Sequence, residues 1–227
     1  MRLVLFNGSP RGKESNSRAL MEHFSRGFLE TENNQIENVY LNRTGETKRH
    51  LEYFKQADRI ILVFPLYTDA MPGIVKHFIE ALQPFAGREG NPPLGFVVQS
   101  GFPEPAHSRP VEAYLKKLTT RLGSDHIGTV IRGGVEGVQV LPPWMTRKLF
   151  SYFYELGREF GTTGSFNRDI IAKLTPWERL SPYRRIFYRI GSWLGLTQMY
   201  WNMKLKQNNS FEKRFARPYD DTGESTS

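Results

Sequence analysis

Apolar runs alternate with helix-type patterns along most of the chain. Short apolar runs are typical of buried strands, whereas apolar residues spaced three and four apart indicate helices with one buried face. Strands are predicted at residues 2–6, 35–41, 59–64, 94–99 and 127–132. Helices are predicted at residues 16–30, 48–56, 72–85, 110–122 and 144–160.

Five strands, each followed by a helix, predict a doubly wound parallel sheet of the α/β class. The expected strand order is the flavodoxin-like 2-1-3-4-5, in which ligands bind where the order reverses, between strands 1 and 3. Residues 1–161 are predicted to form this sheet domain. Residues 162–219 are predicted to be a helical extension, and the polar residues 220–227 a disordered tail.

The turn after the first strand carries a dense set of hydrogen-bond donors. It reads G-S-P-R at 8–11 and S-N-S at 15–17, where a helix begins. The N–H groups and dipole of a helix N-terminus favour a phosphate, so this turn predicts a phosphorylated ligand. Its glycine spacing differs from the P-loop and from the dinucleotide fingerprint. An ordinary turn with a polar helix cap is the alternative.

The turns after strands 3 and 4 combine aromatic residues with proline and glycine. Residues 65–72 read P-L-Y-T-D-A-M-P, and residues 99–108 read Q-S-G-F-P-E-P-A-H-S. Because the carboxyl ends of parallel strands share one edge, Tyr67, Met71 and Phe102 are expected to line a binding site for a flat ring system there. Packing of Tyr67 and Phe102 against neighbouring helices is the alternative.

On these motifs the sequence resembles the NAD(P)H-dependent FMN reductases and related quinone and azo-compound reductases of the flavodoxin-like superfamily. The resemblance spans about residues 1–161. It implies that the FMN phosphate is bound by Ser9, Arg11, Ser15, Asn16 and Ser17. It implies that Pro65, Leu66, Tyr67 and Met71 border the ribityl chain and ring, and that Ser100, Gly101 and Phe102 line the ring's other side.

The resemblance implies an FMN-dependent NAD(P)H oxidoreductase that passes electrons through flavin to a quinone-, azo- or nitro-type acceptor. FAD is the less favoured cofactor, and no acid–base residue is assigned a catalytic role. A homodimer acting on small molecules is expected. One alternative is a flavin-binding electron carrier or regulatory module without turnover of its own.

Composition narrows the chemistry further. The 227 residues include no cysteine, which excludes disulfides and Cys-ligated metal clusters. The five histidines show no metal-ligand spacing, so no metal site is predicted. A signal-peptide pattern and a long apolar run are both missing, so a cytoplasmic location is expected.

The net charge of +8 is concentrated towards the C-terminus. Residues 165–227 hold eleven Lys/Arg against six Asp/Glu, whereas residues 1–164 hold twenty against seventeen. Aromatic and basic residues interleave at 183–215. This segment is expected to pack on the body or on a twofold partner, with its basic side chains at the rim. Binding to a membrane surface or a nucleic acid is the alternative.

Overall fold

The computed structural model describes residues 1–175, 177–193 and 196–216. In this part of the chain the strands are β1 Arg2–Asn7, β2 Gln35–Tyr40, β3 Arg59–Pro65, β4 Leu94–Gln99 and β5 His126–Arg132. The helices are α1 Asn16–Phe28, α2 Thr47–Gln56, α3 Gly73–Ala81, α4 Arg109–Leu122, α5 Pro143–Thr163, α6 Arg168–Leu174, α7 Pro182–Trp193 and α8 Leu196–Gln207.

The strands form one parallel sheet in the order β2-β1-β3-β4-β5, which confirms the predicted topology. Its carboxyl edge is level, because Asn7 pairs with Val63 near the end of β3, and Gln99 pairs with both Pro65 and Arg132. The loops after β1, β3, β4 and β5 therefore leave the sheet side by side.

Successive side chains of each strand enter two separate apolar cores, one on each face of the sheet. In β1, Val4 and Phe6 belong to the core that α2, α3 and α4 cover. Leu3 and Leu5 belong to the core that α1, α5 and α6 cover. Strands buried on both faces require continuous apolar runs, which is why β1, β3 and β4 are readable from the sequence.

A close backbone contact fixes α1 against α5. A Cβ added to Gly157 would lie 1.9 Å from Phe24 O, and one added to Gly27 would lie 2.0 Å from Tyr154 O. Only glycine allows the two helices to approach this closely. The contact sets the position of α1, and with it the helix N-terminus at the carboxyl edge of the sheet.

The element boundaries differ from the predicted ones mainly in α3. The predicted helix 72–85 ends as an α-helix at Ala81 and continues as a 3₁₀ turn over Gln83–Phe85. Pro84 explains the change, because proline has no N–H to donate to a carbonyl of the preceding turn. Gly123 ends α4 in the left-handed conformation, at φ 69°.

The chain forms two compact units, Met1–Arg179 and Leu180–Ser227. The sheet and its helices through α6 belong to the first unit, and α7 and α8 to the second. None of the described helices is long and apolar enough to cross a membrane. The predicted domain boundaries stay predictions, and the tail at 220–227 lies outside the described residues.

Candidate functional site

Asn7, the last residue of β1, organises the turn into α1. Its side chain is fully buried, and its Nδ2 donates to Ser15 Oγ at 3.1 Å and to Gly12 O at 3.3 Å. Its Oδ1 accepts from the N–H of Ser9 at 2.9 Å. One amide side chain thus holds both ends of the turn, and the sequence reasoning assigned it no role.

Ser15 is the N-cap of α1. Its Oγ accepts from the N–H of Arg18 at 3.1 Å and donates its proton to Gly12 O at 2.6 Å. With the bond from Asn7, this hydroxyl is fully used within the turn. A phosphate would have to displace one of these bonds to reach it.

Ser17 is different, because its hydroxyl is buried and unpaired. The residue is fully buried in the first turn of α1, and its Oγ has no hydrogen-bond partner among the described residues. Leaving a buried hydroxyl unpaired costs about 1–3 kcal/mol. Ser25, Ser108 and Ser124 also have buried hydroxyls without a partner, so the position of Ser17 matters as much as its missing bond. The N–H groups of Asn16 and Ser17 lie in the same turn as this hydroxyl, where a helix offers its amides to an anion.

Ser9 and Arg11 complete the donors of this turn. Ser9 is buried, and its Oγ accepts only a long bond of 3.4 Å from the N–H of Arg11. The Arg11 side chain is exposed, so it can swing towards an anion. Ser9, Arg11 and Ser17 are therefore the side chains of the predicted phosphate set that remain available.

Several backbone N–H groups of the turn already have hydrogen-bond partners in the protein. The N–H of Gly8 donates to Val63 O, and that of Gly12 to Ser9 O. The N–H of Ser15 donates to Gly12 O. The Gly8 bond joins the turn to β3, and the other two lie within the turn, because a tight 3₁₀ turn satisfies its own backbone groups. The amides that remain candidates for binding an anion are those at the start of α1.

The Asn16 side chain points to the loop after β5 and is engaged there. Its Nδ2 donates to Val135 O at 2.8 Å and to Glu136 O at 3.2 Å, while its Oδ1 accepts from Gln139 Nε2 at 2.7 Å. The side chain therefore joins two loops, and only the backbone N–H of Asn16 remains as a candidate phosphate donor.

Hydrogen bonds connect each carboxyl-edge loop to the next. The O of Val135 accepts from Asn16, and the N–H of Val135 donates to Ser100 O at 3.0 Å. The N–H of Leu66 donates to Gln99 O at 2.7 Å. The loops after β1, β5, β4 and β3 are thus brought together at one edge, as the sequence predicted for three of them.

The loop after β3 forms a tight turn that presents Tyr67. Tyr67 and Ala70 exchange backbone hydrogen bonds of 2.9 and 3.1 Å, with Thr68 at φ 47° and Asp69 at φ 62° between them. Pro65 and Leu66 are buried, and Met71 is half-buried against the core. Tyr67 is 47% exposed, so its ring is accessible to a ligand.

The loop after β4 presents Phe102. Ser100 is buried and its Oγ donates to Phe102 O at 3.0 Å, while Gly101 is exposed. Phe102 is 48% exposed, and its ring stacks on His107 with ring centroids 4.9 Å apart. Core packing therefore does not account for Phe102.

Two contacts hold this aromatic loop in place. His107 Nδ1 lies 3.2 Å from Asp69 Oδ1, which ties the loop after β4 to the turn after β3. Gly133 follows β5, and a Cβ there would lie 2.5 Å from Phe102 O. This close backbone approach requires a glycine at position 133.

Arg132, the last residue of β5, is half-buried. Its Nη1 donates to Leu174 O at 3.0 Å, and its Nε is buried without a hydrogen-bond partner in the described part of the chain. Burial lowers the pKa of its guanidinium from the ordinary value. This contact with the end of α6 makes Arg132 a residue that anchors β5 to α6.

A separate open groove of about 970 Å³ runs between α1 and α5. Its lining includes Val138, Leu141 and Phe150, with Arg26 and Arg147 at its margin. None of the predicted cofactor residues lines this groove. The loop after β5 lines part of this groove and also contacts Asn16 at the carboxyl edge through Gln139.

Comparison with known proteins identifies the fold. A protein-family model described as a flavodoxin-like fold matches residues 1–84, which include the turn into α1 and the loop after β3. The fold is flavodoxin-like. No curated protein sequence matches the chain.

Solved structures share the flavodoxin-like fold at low sequence identity. An FMN-dependent NADH-azoreductase from Bacillus anthracis, in complex with FMN, is 18% identical with a TM-score of 0.55, over 72% of this chain and 99% of that one. An NAD(P)H:quinone oxidoreductase from Methanothermobacter marburgensis is 14% identical with a TM-score of 0.58, over 70% and 96%. At these identities the likeness confirms the fold alone.

Proposed function

We propose that this protein is an FMN-dependent NAD(P)H oxidoreductase. The observation that carries the proposal is the buried, unpaired Ser17 hydroxyl in the first turn of α1. It lies at the sheet edge where a flavodoxin-like fold binds its ligand. A phosphate there would satisfy the hydroxyl and meet the positive end of the helix dipole.

The donor set fits the phosphate of FMN. Ser17 Oγ, Ser9 Oγ, Arg11 and the first amides of α1 would hold it. Hydrogen bonds to a charged group contribute about 1.5–3 kcal/mol each. The terminal phosphate of FMN carries more negative charge than either phosphate group of the FAD diphosphate. This favours FMN at a helix N-terminus.

The flavin ring would lie against the aromatic side chains of the neighbouring loops. Tyr67 and Phe102 expose flat surfaces of the kind that a ring system packs on. Gly101 is exposed between the buried Ser100 and Phe102, so its backbone can approach the polar edge of the ring. Pro65, Leu66 and Met71 would support the ring indirectly, because they hold in place the turn that presents Tyr67.

When bound, FMN supplies two-electron transfer from NAD(P)H to an acceptor. The residues of this chain would bind the cofactor, orient its ring and exclude water from one face. No acid–base side chain is required for that role. The names of the similar structures, an azoreductase and a quinone oxidoreductase, support an azo- or quinone-type acceptor.

The test is steady-state oxidation of NAD(P)H by the FMN-loaded protein. With added quinone or azo dye, we expect NAD(P)H to be consumed in proportion to the acceptor reduced. Flavin binding without turnover would instead make the protein an electron carrier. A protein that binds no flavin would contradict the proposal. The homodimer and the cytoplasmic location stay predictions.

A further inference from the structure

Helix α7 carries one apolar face. Tyr183, Ile186, Ile190 and Trp193 are spaced three, four and three residues apart, which places them along one side of a helix. Apolar residues at this spacing are usually buried by a neighbouring element. The face is therefore informative only if it is exposed.

The side chains of this face are exposed to solvent. Tyr183 is 85% exposed and Trp193 is 84% exposed, while Ile186 and Ile190 are 57% and 50% exposed. Trp201 of α8, in the same compact unit, is 57% exposed. Apolar residues exposed in a row, rather than singly, mark a contact surface.

Basic residues flank the apolar face. Helix α7 contains Arg184, Arg185 and Arg189, all exposed, and no acidic residue. The sequence has no Asp or Glu between Leu180 and Phe211. A helix with Tyr, Ile and Trp on its apolar face, and with arginine as its only type of charged residue, has the composition of a helix that lies in a membrane interface.

We propose that α7 docks this protein on an anionic lipid surface. Its apolar face would enter the boundary between headgroups and acyl chains, where the amphipathic rings of Tyr183 and Trp193 are favoured. The arginines would meet the anionic headgroups. The helix would lie parallel to the membrane plane, and the flavodoxin-like unit would remain outside the bilayer.

Charge argues against a second copy of this chain as the partner. A twofold contact through α7 would bring two sets of three arginines together with no acidic residue of the helix between them. Nucleic acid could pair its phosphates with the arginines, but it would not bury the aliphatic side chains. Ile186 and Ile190 gain nothing from stacking on bases, whereas a membrane accommodates both features.

The experiment is co-sedimentation of the full-length protein with vesicles, in the absence of flavin. Vesicles of phosphatidylcholine mixed equally with phosphatidylglycerol are compared with vesicles of phosphatidylcholine alone. We expect binding to the anionic vesicles, at least tenfold weaker binding to the neutral ones, and loss of binding at high salt. Because no cofactor is added, the outcome is independent of the proposed oxidoreductase function.

Two double variants test the two features of the helix. Ile186→Ser with Ile190→Ser removes apolar surface, and its control is Leu29→Ser, an apolar residue 49% exposed in the first unit. Arg185→Glu with Arg189→Glu reverses charge, and its control is Lys117→Glu with Arg121→Glu on the exposed side of α4. Both α7 variants should bind anionic vesicles at least tenfold more weakly, and both controls should bind as the wild type does.

Four results would overturn the proposal. The first is no binding of the wild type to either vesicle, and the second is binding that both α7 variants retain. The third is a mass in light scattering that halves in the apolar-face variant, which would assign the face to a second copy. The fourth is salt-sensitive binding to nucleic acid, but not to vesicles, that the charge variant abolishes.

Discussion

Asn16 and Val135 join the start of α1 to the loop that follows β5. The bond from Asn16 Nδ2 to Val135 O is 2.8 Å long, and the same amide group also contacts Glu136 O and the Gln139 side chain. Asn16 is buried, so these hydrogen bonds form out of water. They fix the N-terminus of α1, where the proposed phosphate would bind.

Asn16→Ala is expected to lower the free energy of unfolding by about 1–3 kcal/mol, because it leaves two loop carbonyls without their donor. The matched variant Gln139→Ala changes an exposed side chain of the same cluster and should cost less. Urea denaturation of the two proteins measures the difference. Equal stability of both variants and the wild type would show that this link does not hold the site.

Ser17→Ala separates ligand binding from stability. The variant removes a buried hydroxyl that has no partner in the described chain, so the flavin-free protein should lose no stability. FMN affinity should fall about tenfold, equivalent to about 1.4 kcal/mol, and further when Arg11→Ala is added. Isothermal titration with FMN measures the change.

The chain provides a control on the same helix. Ser25 of α1 is also buried with an unpaired Oγ, but it lies two helical turns further than Ser17 from the turn between β1 and α1. Ser25→Ala should leave FMN affinity unchanged. A Ser17→Ala variant that binds FMN as tightly as Ser25→Ala does would remove Ser17 from the site.

The order of the sheet was predictable from the sequence, and the contacts at its edge were not. Strands β1, β3 and β4 are buried on both faces, so their apolar runs stand out locally. The edge strand β2 is mostly half-buried or exposed and gives a weaker signal. The Asn16 bond, in contrast, joins residues 119 positions apart. No periodicity connects them, and a Ser-Asn-Ser sequence at a helix start reads equally well as a set of phosphate ligands.

The side chains of the turn between β1 and α1 also make contacts that the sequence does not reveal. Ser9, Ser15 and Ser17 are equivalent donors in the sequence, but Asn7 and the helix cap use the Ser15 hydroxyl and leave Ser17 unpaired. Which serine is available depends on where the backbone turns. The aromatic loops were more readable, because Pro65 and Gly101 mark the points where chain direction changes.

Phe102→Ala tests the ring end of the proposed site. Loss of the exposed face of Phe102 should weaken FMN and riboflavin by similar factors, because both share the flavin ring. Tyr114→Ala, which removes an aromatic ring 44% exposed on α4, is the control. Fluorescence titration with both flavins gives the comparison. Weaker FMN binding with unchanged riboflavin binding would place Phe102 near the phosphate instead.

Stability is expected to fall in mild acid because of His50. This buried residue lies edge-on to the rings of Phe6 and Phe78, and its burial lowers its pKa from the ordinary 6.5. Below about pH 6.5 the unfolded chain therefore binds a proton that the folded chain does not, and the free energy of unfolding decreases. His50→Phe should reduce this decrease.

Urea denaturation at several values between about pH 8 and about pH 5 measures the effect. Part of the decrease should persist in the His50→Phe variant, because burial also lowers the pKa of His23 and of His126. A variant whose stability changes with pH as steeply as that of the wild type would show that His50 does not titrate on unfolding.

The central claim is that the start of α1 binds the phosphate of FMN. The most direct measurement is a pair of equilibrium titrations of the wild-type protein, one with FMN and one with riboflavin, which lacks only the phosphate. FMN should bind at least about tenfold more tightly, equivalent to about 1.4 kcal/mol. Equal affinity for the two flavins, or no binding of either, would contradict the assignment of this turn.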